Sequence, residues 1–434
     1  MDFNTLREKY KTFIYKDFEI TEDKESINIK YYFEIPDLAK FEPSIQIMKK
    51  DIKYKSIDDK YVKNIVFSLG MIEVISYWKC VCAENIVIEC GNLNEEQKQW
   101  FKKLYYNGTG EFRYINNIHI EQEEFVNFIT NENIKSIIPE SISEDTLSGY
   151  IIPVGGGKDS VVTLERLKED KENNYCLTVG GKEPVIECCK IAGYEDNQII
   201  EVKRTIDPNL LNLNKEGYLN GHTPFSSILA FLSYLIAYLT NKKYVALSNE
   251  SSANESNVKG ENINHQYSKS LEFEEDFKKY SEKYLKTGVE YFSILREYSE
   301  LQIAEMFSKY KQYHKVFKSC NVGSKTIPWK WCCNCPKCLF VYIILSPFLT
   351  PKELIEIFGE NVFEKQELLE IFKGLCGYGE IKPFECVGTF EEVNYAVNKA
   401  IEQYGASELP YLLKYYKEKI KKWGCEASLG LKRN

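Results

Sequence analysis

The chain has no conspicuous block of basic residues, no apolar leader and no internal repeat or low-complexity tract. Among 434 residues, 56 are Lys or Arg and 64 are Asp or Glu, a net charge of −8. Without a basic patch to neutralise phosphates, nucleic acid is not an expected partner. Met1–Lys11 is charged and lacks the apolar core of an export signal, so a cytoplasmic protein is expected. Fourteen cysteines without such a signal fit a reducing compartment better than a disulfide framework, and read as buried thiols, metal ligands or catalytic groups. One uncharged stretch, Pro224–Thr240 (PFSSILAFLSYLIAYLT), is at the short limit for crossing a bilayer. It holds serines and tyrosines and runs straight into strand-like Lys243–Ser248; it reads as a buried core helix, and no membrane span is expected.

What is present points to an α/β protein of two or three domains, with 44% hydrophobic residues to build a core. Residues 1–145 read as an N-terminal α+β region. Ile27–Ile35 suggests a strand, and Tyr61–Trp78 and Asn94–Tyr105 have helical apolar spacing. No catalytic motif stands out there, and polar Ser141–Thr146 marks a boundary. From Leu147 short apolar runs alternate with helices: strands at Tyr150–Val154, Tyr175–Val179, Gln198–Val202 and Tyr244–Leu247, helices at Val161–Lys168, Pro184–Ala192 and Pro224–Thr240. Such alternation marks βαβ units and a parallel sheet covered on both faces, with ligands beyond the carboxyl ends of the strands. This domain spans 146–350. Residues 351–434 form a helical C-terminal region, with helices expected at Glu353–Phe358, Lys365–Phe372, Phe390–Tyr404 and Leu409–Trp423.

The run Ile151-Ile152-Pro153-Val154-Gly155-Gly156-Gly157-Lys158-Asp159-Ser160 joins an expected strand to an expected helix. A glycine turn there lets backbone N–H groups approach phosphate oxygens, and the helix N-terminus adds partial positive charge. Two familiar phosphate loops are excluded: Asp159 follows Lys158 where a Walker loop has Ser or Thr, and no Gly-x-Gly-x-x-Gly occurs at 155–160.

The run instead resembles the Ser-Gly-Gly-x-Asp-Ser signature of the PP-loop ATP pyrophosphatases, whose fold is the adenine nucleotide alpha hydrolase-like sheet. The resemblance implies that Gly155, Gly156, Gly157, Lys158, Asp159 and Ser160 bind ATP and pyrophosphate. Gly156 and Gly157 give room, Ser160 offers a hydroxyl, Lys158 a cation for the leaving pyrophosphate, and Asp159 a ligand for Mg2+. Gly155 departs from the pattern, because the family has serine there. Ser248–Gly260 (SNESSANESNVKG), Asn264–Ser270, Trp331–Phe348 (WCCNCPKCLFVYIILSPF) and Lys382–Thr389 (KPFECVGT) narrow the resemblance to the bacterial epimerases of UDP-N-acetylmuramoyl-L-alanyl-L-glutamate. That family implies an ATP-dependent isomerase of peptidoglycan precursor synthesis. Adenylation of the terminal L-glutamate carboxylate makes its α-hydrogen removable, the centre inverts, and AMP and pyrophosphate leave. A small-molecule nucleotide-sugar peptide is then the partner, and residues 1–145 are placed to help bind it; no oligomeric state is implied. Other adenylating PP-loop enzymes stay open, namely a 7-cyano-7-deazaguanine synthase-like amide or nitrile synthase or a tRNA thiolase, as does a non-catalytic nucleotide sensor.

Candidates for proton transfer are few: His222, His265 and Cys386. Asn249, Glu250, Asn254 and Glu255 are candidates for ribose, adenylate, magnesium or substrate, with a solvated polar loop as the alternative. Cys332, Cys335 and Cys338 form C-x2-C-x2-C, Cys320 lies twelve residues upstream, and Cys333 sits beside them. Four thiolates so spaced are able to close a tetrahedral zinc site. The layout also resembles the zinc cluster of 7-cyano-7-deazaguanine synthase, with a longer reach from Cys320. A metal-free helix start, or an iron–sulfur cluster on the same ligands, is the competing reading.

Overall fold

The computed structural model describes residues 1–131, 134, 139–141, 147–254, 257, 263–379, 381–405 and 407–420, apart from the side chains at 253, 254 and 420. Eleven strands occur among them: β1 Thr12–Glu22, β2 Ser26–Ile35, β3 Ala39–Phe41, β4 Ser44–Met48, β5 Asn85–Ile88, β6 Asn127–Thr130, β7 Tyr150–Pro153, β8 Tyr175–Val179, β9 Ile199–Thr205, β10 Tyr244–Leu247 and β11 Glu290–Ser293. They form one mixed sheet in the order β11-β10-β7-β8-β9-β4-β2-β1-β5-β6, with β3 on β2. β7 to β11 pair in parallel, as do β1, β5 and β6, while β1, β3 and β4 meet β2 antiparallel.

Local sequence accounts for the two kinds of strand. In β2 alternate residues Ile27, Ile29, Tyr31, Phe33 and Ile35 are buried, the period-two pattern of a sheet with one core face. In β7 the neighbours Ile151 and Ile152 are both buried, as a strand covered on two faces requires. The apolar 225–239 helix lies against β7 and the 60–78 helix, and no helix among the described residues is long and apolar enough to cross a membrane. A second core gathers the 300–308, 336–345 and 390–404 helices.

Some boundaries move for physical reasons. The helix expected from Val161 begins at Lys158, because Gly157 takes the cap position with extended backbone. The strand expected to end at Val202 runs to Thr205, because its last residues pair antiparallel with β4. That pairing makes the sheet continuous between residues 1–145 and the rest of the chain. The boundary expected at 141–146 lies outside the described residues except for Ser141. Lys365–Phe372 resolves into short turns and a 369–375 helix, and the last helix is described only as far as residue 420.

The sheet order positions the site. From β7 the chain order runs through β8 and β9 on one side and through β10 and β11 on the other. Loops leaving β7 and β10 therefore part above a crevice, the place where open α/β sheets bind ligands.

Candidate active site

The crevice is a cavity of about 410 Å3. Gly155, Gly157, Asp159 and Ser160 line it, together with Ser248 and Asn249 after β10. Gly156 has φ +80°, and a Cβ there would lie 3.1 Å from Val185 Cγ2, so the turn needs glycine at this position. The Gly156 carbonyl accepts from the Lys318 N–H at 2.8 Å. A Cβ on Gly155 would meet nothing within 4 Å; the missing serine leaves open space. No side chain caps the 158–167 helix, so its first-turn N–H groups remain available to an anion. Beside them Ser319 Oγ is buried without a hydrogen-bond partner and would lie 3.9 Å from a Cβ on Gly157. A buried hydroxyl left so is costly unless a ligand completes it.

Lys158 differs from its expected role of facing pyrophosphate. Its ammonium is only 2% exposed and pairs with Asp159 Oδ1 at 2.5 Å and with Glu300 Oε2. Burial works against the charged lysine, but the two carboxylates outweigh it and hold the ammonium above its ordinary value. Asp159 resists burial through Lys158, Lys337 and Lys269 and stays ionised, while burial pushes Glu300 up to about 8. The cations that line the cavity are instead Lys182, Lys269 and Lys337.

Cys386 lines the same cavity. Lys269 Nζ donates to its Sγ at 3.0 Å, and Lys337 Nζ donates to its carbonyl oxygen. Burial would raise the thiol, but Lys269, His265 and Lys337 bring it down to about 6. His265 hydrogen-bonds Cys386, and its Nδ1 meets Glu111 Oε2. Burial would lower the imidazole; the Cys386 and Glu111 charges raise it to about 9. The His222 ring lies 4.1 Å from that of His265, tilted at 47° to it. Burial, His265, Lys79 and Lys269 push His222 down to about 3, so it is neutral. The three proton-transfer candidates thus meet in one cluster, although they are far apart in sequence.

The sulfurs of Cys320, Cys332, Cys335 and Cys338 lie within 4.8 Å of one another. Cys320–Cys335 is 3.9 Å and Cys332–Cys338 is 3.7 Å. A tetrahedron of sulfurs each ~2.3 Å from zinc has edges of about 3.8 Å, so the donor set fits that ion. Backbone N–H groups of Gly323 and Asn334 donate to Cys320 and Cys332. Cys333 turns away to the Phe358 carbonyl. All described cysteines are free thiols.

Glu250 is buried, and its carbonyl accepts from Arg296; Glu255 and the side chain of Asn254 lie outside what is described. Sequence reasoning missed Glu111, Lys269, Glu300, Ser319 and Lys337. For Lys337 a signal existed, since it sits between Cys335 and Cys338. Glu111 and Glu300 are two acids among 64, and only the folded chain singles them out.

The molecule is thus an α/β protein whose sheet crevice is lined by an uncapped glycine turn and by a thiol held by Lys269. It belongs to the MurL family. The family model described as the MurL N-terminal domain matches residues 4–294, and that described as the MurL C-terminal domain matches residues 316–428. Three relatives are each named UDP-N-acetyl-alpha-D-muramoyl-L-alanyl-L-glutamate epimerase. That of Xanthomonas oryzae pv. oryzae is 31% identical over 336 residues, covering 76% of this chain and 72% of the relative. That of a Micromonospora species is 31% identical over 77% of this chain and 74% of its own length, and that of Salinispora tropica 32% over 79% and 74%.

Proposed function

We propose that this chain is an ATP-dependent epimerase of UDP-N-acetylmuramoyl-L-alanyl-L-glutamate, a step in peptidoglycan precursor synthesis in the cytoplasm. On this reading the 146–350 domain has the PP-loop fold. The observation that carries it is that one cavity is lined both by the uncapped triglycine turn and by Cys386 with Lys269 and Lys337, the His265 ring being hydrogen-bonded to that thiol. Phosphates of ATP fit the N–H groups of 155–160, the Ser160 hydroxyl and the orphan Ser319 hydroxyl, which stands in for the serine absent at 155. Asn249, which lines the cavity beyond β10, is placed for the adenylate, with buried Glu250 next to it in the chain. Asp159, ionised and facing the cavity, would hold Mg2+, which neutralises phosphate charge.

An ionised carboxylate makes its α-hydrogen nearly inert, because removal piles charge on charge. Attack of the glutamate carboxylate on the α-phosphate of ATP gives an acyl-adenylate and pyrophosphate. The carbonyl, relieved of its negative charge, accepts the carbanion as an enolate, with Lys269 and Lys337 as cationic neighbours. Cys386, which lines the cavity, and His265 and neutral His222 beside it are the candidates for proton transfer at the inverted centre. Water then releases AMP and the D-glutamyl product. Cys320, Cys332, Cys335 and Cys338 would hold a structural zinc, which fixes the segment carrying Ser319 and the helix start carrying Lys337.

The test is product analysis in deuterated water with ATP, Mg2+ and the L-glutamyl precursor. AMP, pyrophosphate and an α-deuterated D-glutamyl product are expected. ADP in place of AMP, or AMP with an amide or nitrile product, would defeat the reading.

A further inference from the structure

Among the described residues lining the cavity, Cys386 is the one thiol. It is gripped from three sides: Lys269 on the sulfur at 3.0 Å, Lys337 on its carbonyl, and His265 with Glu111 behind it. Neighbouring Glu385, also at the cavity, is engaged by the Asn321 side chain at 2.8 Å. Such a site activates a nucleophile more than it equips a base. A thiolate held among cations is a weak proton acceptor, yet it attacks acyl carbon readily. The adenylate, moreover, keeps an anionic phosphate one oxygen away from the carbonyl, where it opposes the carbanion that must form.

Resting on the adenylating reading, we propose that Cys386 is the acyl acceptor, so that inversion takes place on a thioester and not on the adenylate itself. The sulfur attacks the carbonyl carbon of the acyl-adenylate. An S–C bond forms, the C–O bond to phosphate breaks, and AMP leaves with the electron pair. No oxidant or reductant is involved. Loss of the sulfur's charge frees the Lys269 ammonium for the thioester carbonyl oxygen, where enolate charge accumulates. It also weakens the hold of His265 on its proton: His265 gives that proton to solvent and, beside the sulfur, becomes the base that takes the α-proton. A solvent proton is then delivered to the opposite face, and water attacks the thioester. The S–C bond breaks, the carboxylate forms, and the thiolate returns as two protons leave. Glu111 acts through His265 and is a positioning residue.

Acid quench of the full-length chain turning over ATP, Mg2+ and UDP-N-acetylmuramoyl-L-alanyl-L-glutamate, followed by mass spectrometry, tests this. The expected adduct adds the precursor less one water, maps to the peptide holding Cys386 and is cleaved by neutral hydroxylamine. Cys386→Ser should lose the adduct and α-deuteration together. Glu111→Gln should raise the pH of half-maximal iodoacetamide labelling at Cys386 by about one unit and lower kcat with little change in KM. A purely structural Glu111 would leave the labelling profile in place. AMP and D-glutamyl product accumulating with no adduct from milliseconds to steady state, or inversion by Cys386→Ser, overturns the thioester while the epimerase reading stands. Absence of AMP altogether brings down both.

Discussion

At the scale of single residues, the triglycine turn separates room from conformation. Gly155→Ser meets open space, so its stability should stay within about 0.5 kcal/mol of the parent. Gly156→Ala forces a Cβ into a left-handed backbone against Val185, at a cost of about 1–2 kcal/mol. Denaturant midpoints of the two variants check the contrast. The Cys386–His265 pair sets a pH window. The thiol is brought down to about 6 and the imidazole up to about 9, so thiolate and imidazolium coexist between these values. Turnover should fall on the acid side as sulfur takes a proton and on the alkaline side as His265 loses one. The sulfur's contribution to stability is present at high pH and fades as pH drops through about 6; that of His265 is present at low pH and fades as pH climbs through about 9. A rate profile with both limbs on one side of neutrality would contradict this. Legibility at this scale was uneven. Gly155–Ser160, His222, His265 and Cys386 could be picked out because glycine runs, histidines and a turn thiol are scarce. Lys158 could be picked out too, but its inward pairing with Glu300 depends on a helix 142 residues away.

At the scale of elements, the four-cysteine cluster braces the cavity from two directions. Cys320 follows Ser319 and Lys318, whose N–H holds the triglycine turn, and Cys335 caps the helix that carries Lys337. Metal analysis should give about one zinc per chain. Cys335→Ser should lose the ion and weaken ATP binding by about tenfold, or ~1.4 kcal/mol, as read by calorimetry, with most of the helix content intact. Full zinc loss with unaltered ATP affinity would show that the cluster braces nothing. Strands β7, β8 and β10 were readable because each is a short apolar run between turn signals. The helix start at Lys158 was not, because polar residues open it and only the glycine cap defines it.

At the scale of the whole molecule, the sheet ties the N-terminal region to the rest. Arg204 at the end of β9 makes a bidentate pair with Glu73 of the 60–78 helix, at 2.6 and 2.7 Å, and both are buried or nearly so. Removing one partner strands the other charge, so Arg204→Met should cost about 3–5 kcal/mol in chemical denaturation. A fragment of residues 147–434 would expose the edge of β9 and the 225–239 helix face that the 60–78 helix covers. It is expected to aggregate; a monomeric, ATP-binding fragment would contradict the continuous core. The α/β class was legible from alternating apolar runs, but this joint was not. β4 is a five-residue strand whose partner lies some 155 residues downstream, a pairing that local pattern does not encode.

Glu111, His265 and Cys386 come from the first, middle and last thirds of the chain; Cys386 and Glu111 hold the proton on His265, and Lys269 with His265 keeps the sulfur charged. During synthesis, therefore, the sulfur stays an ordinary, sluggish thiol until nearly the whole polypeptide has emerged and closed around it. Nascent or half-assembled copies would be chemically quiet, and fuel would be spent only by finished molecules.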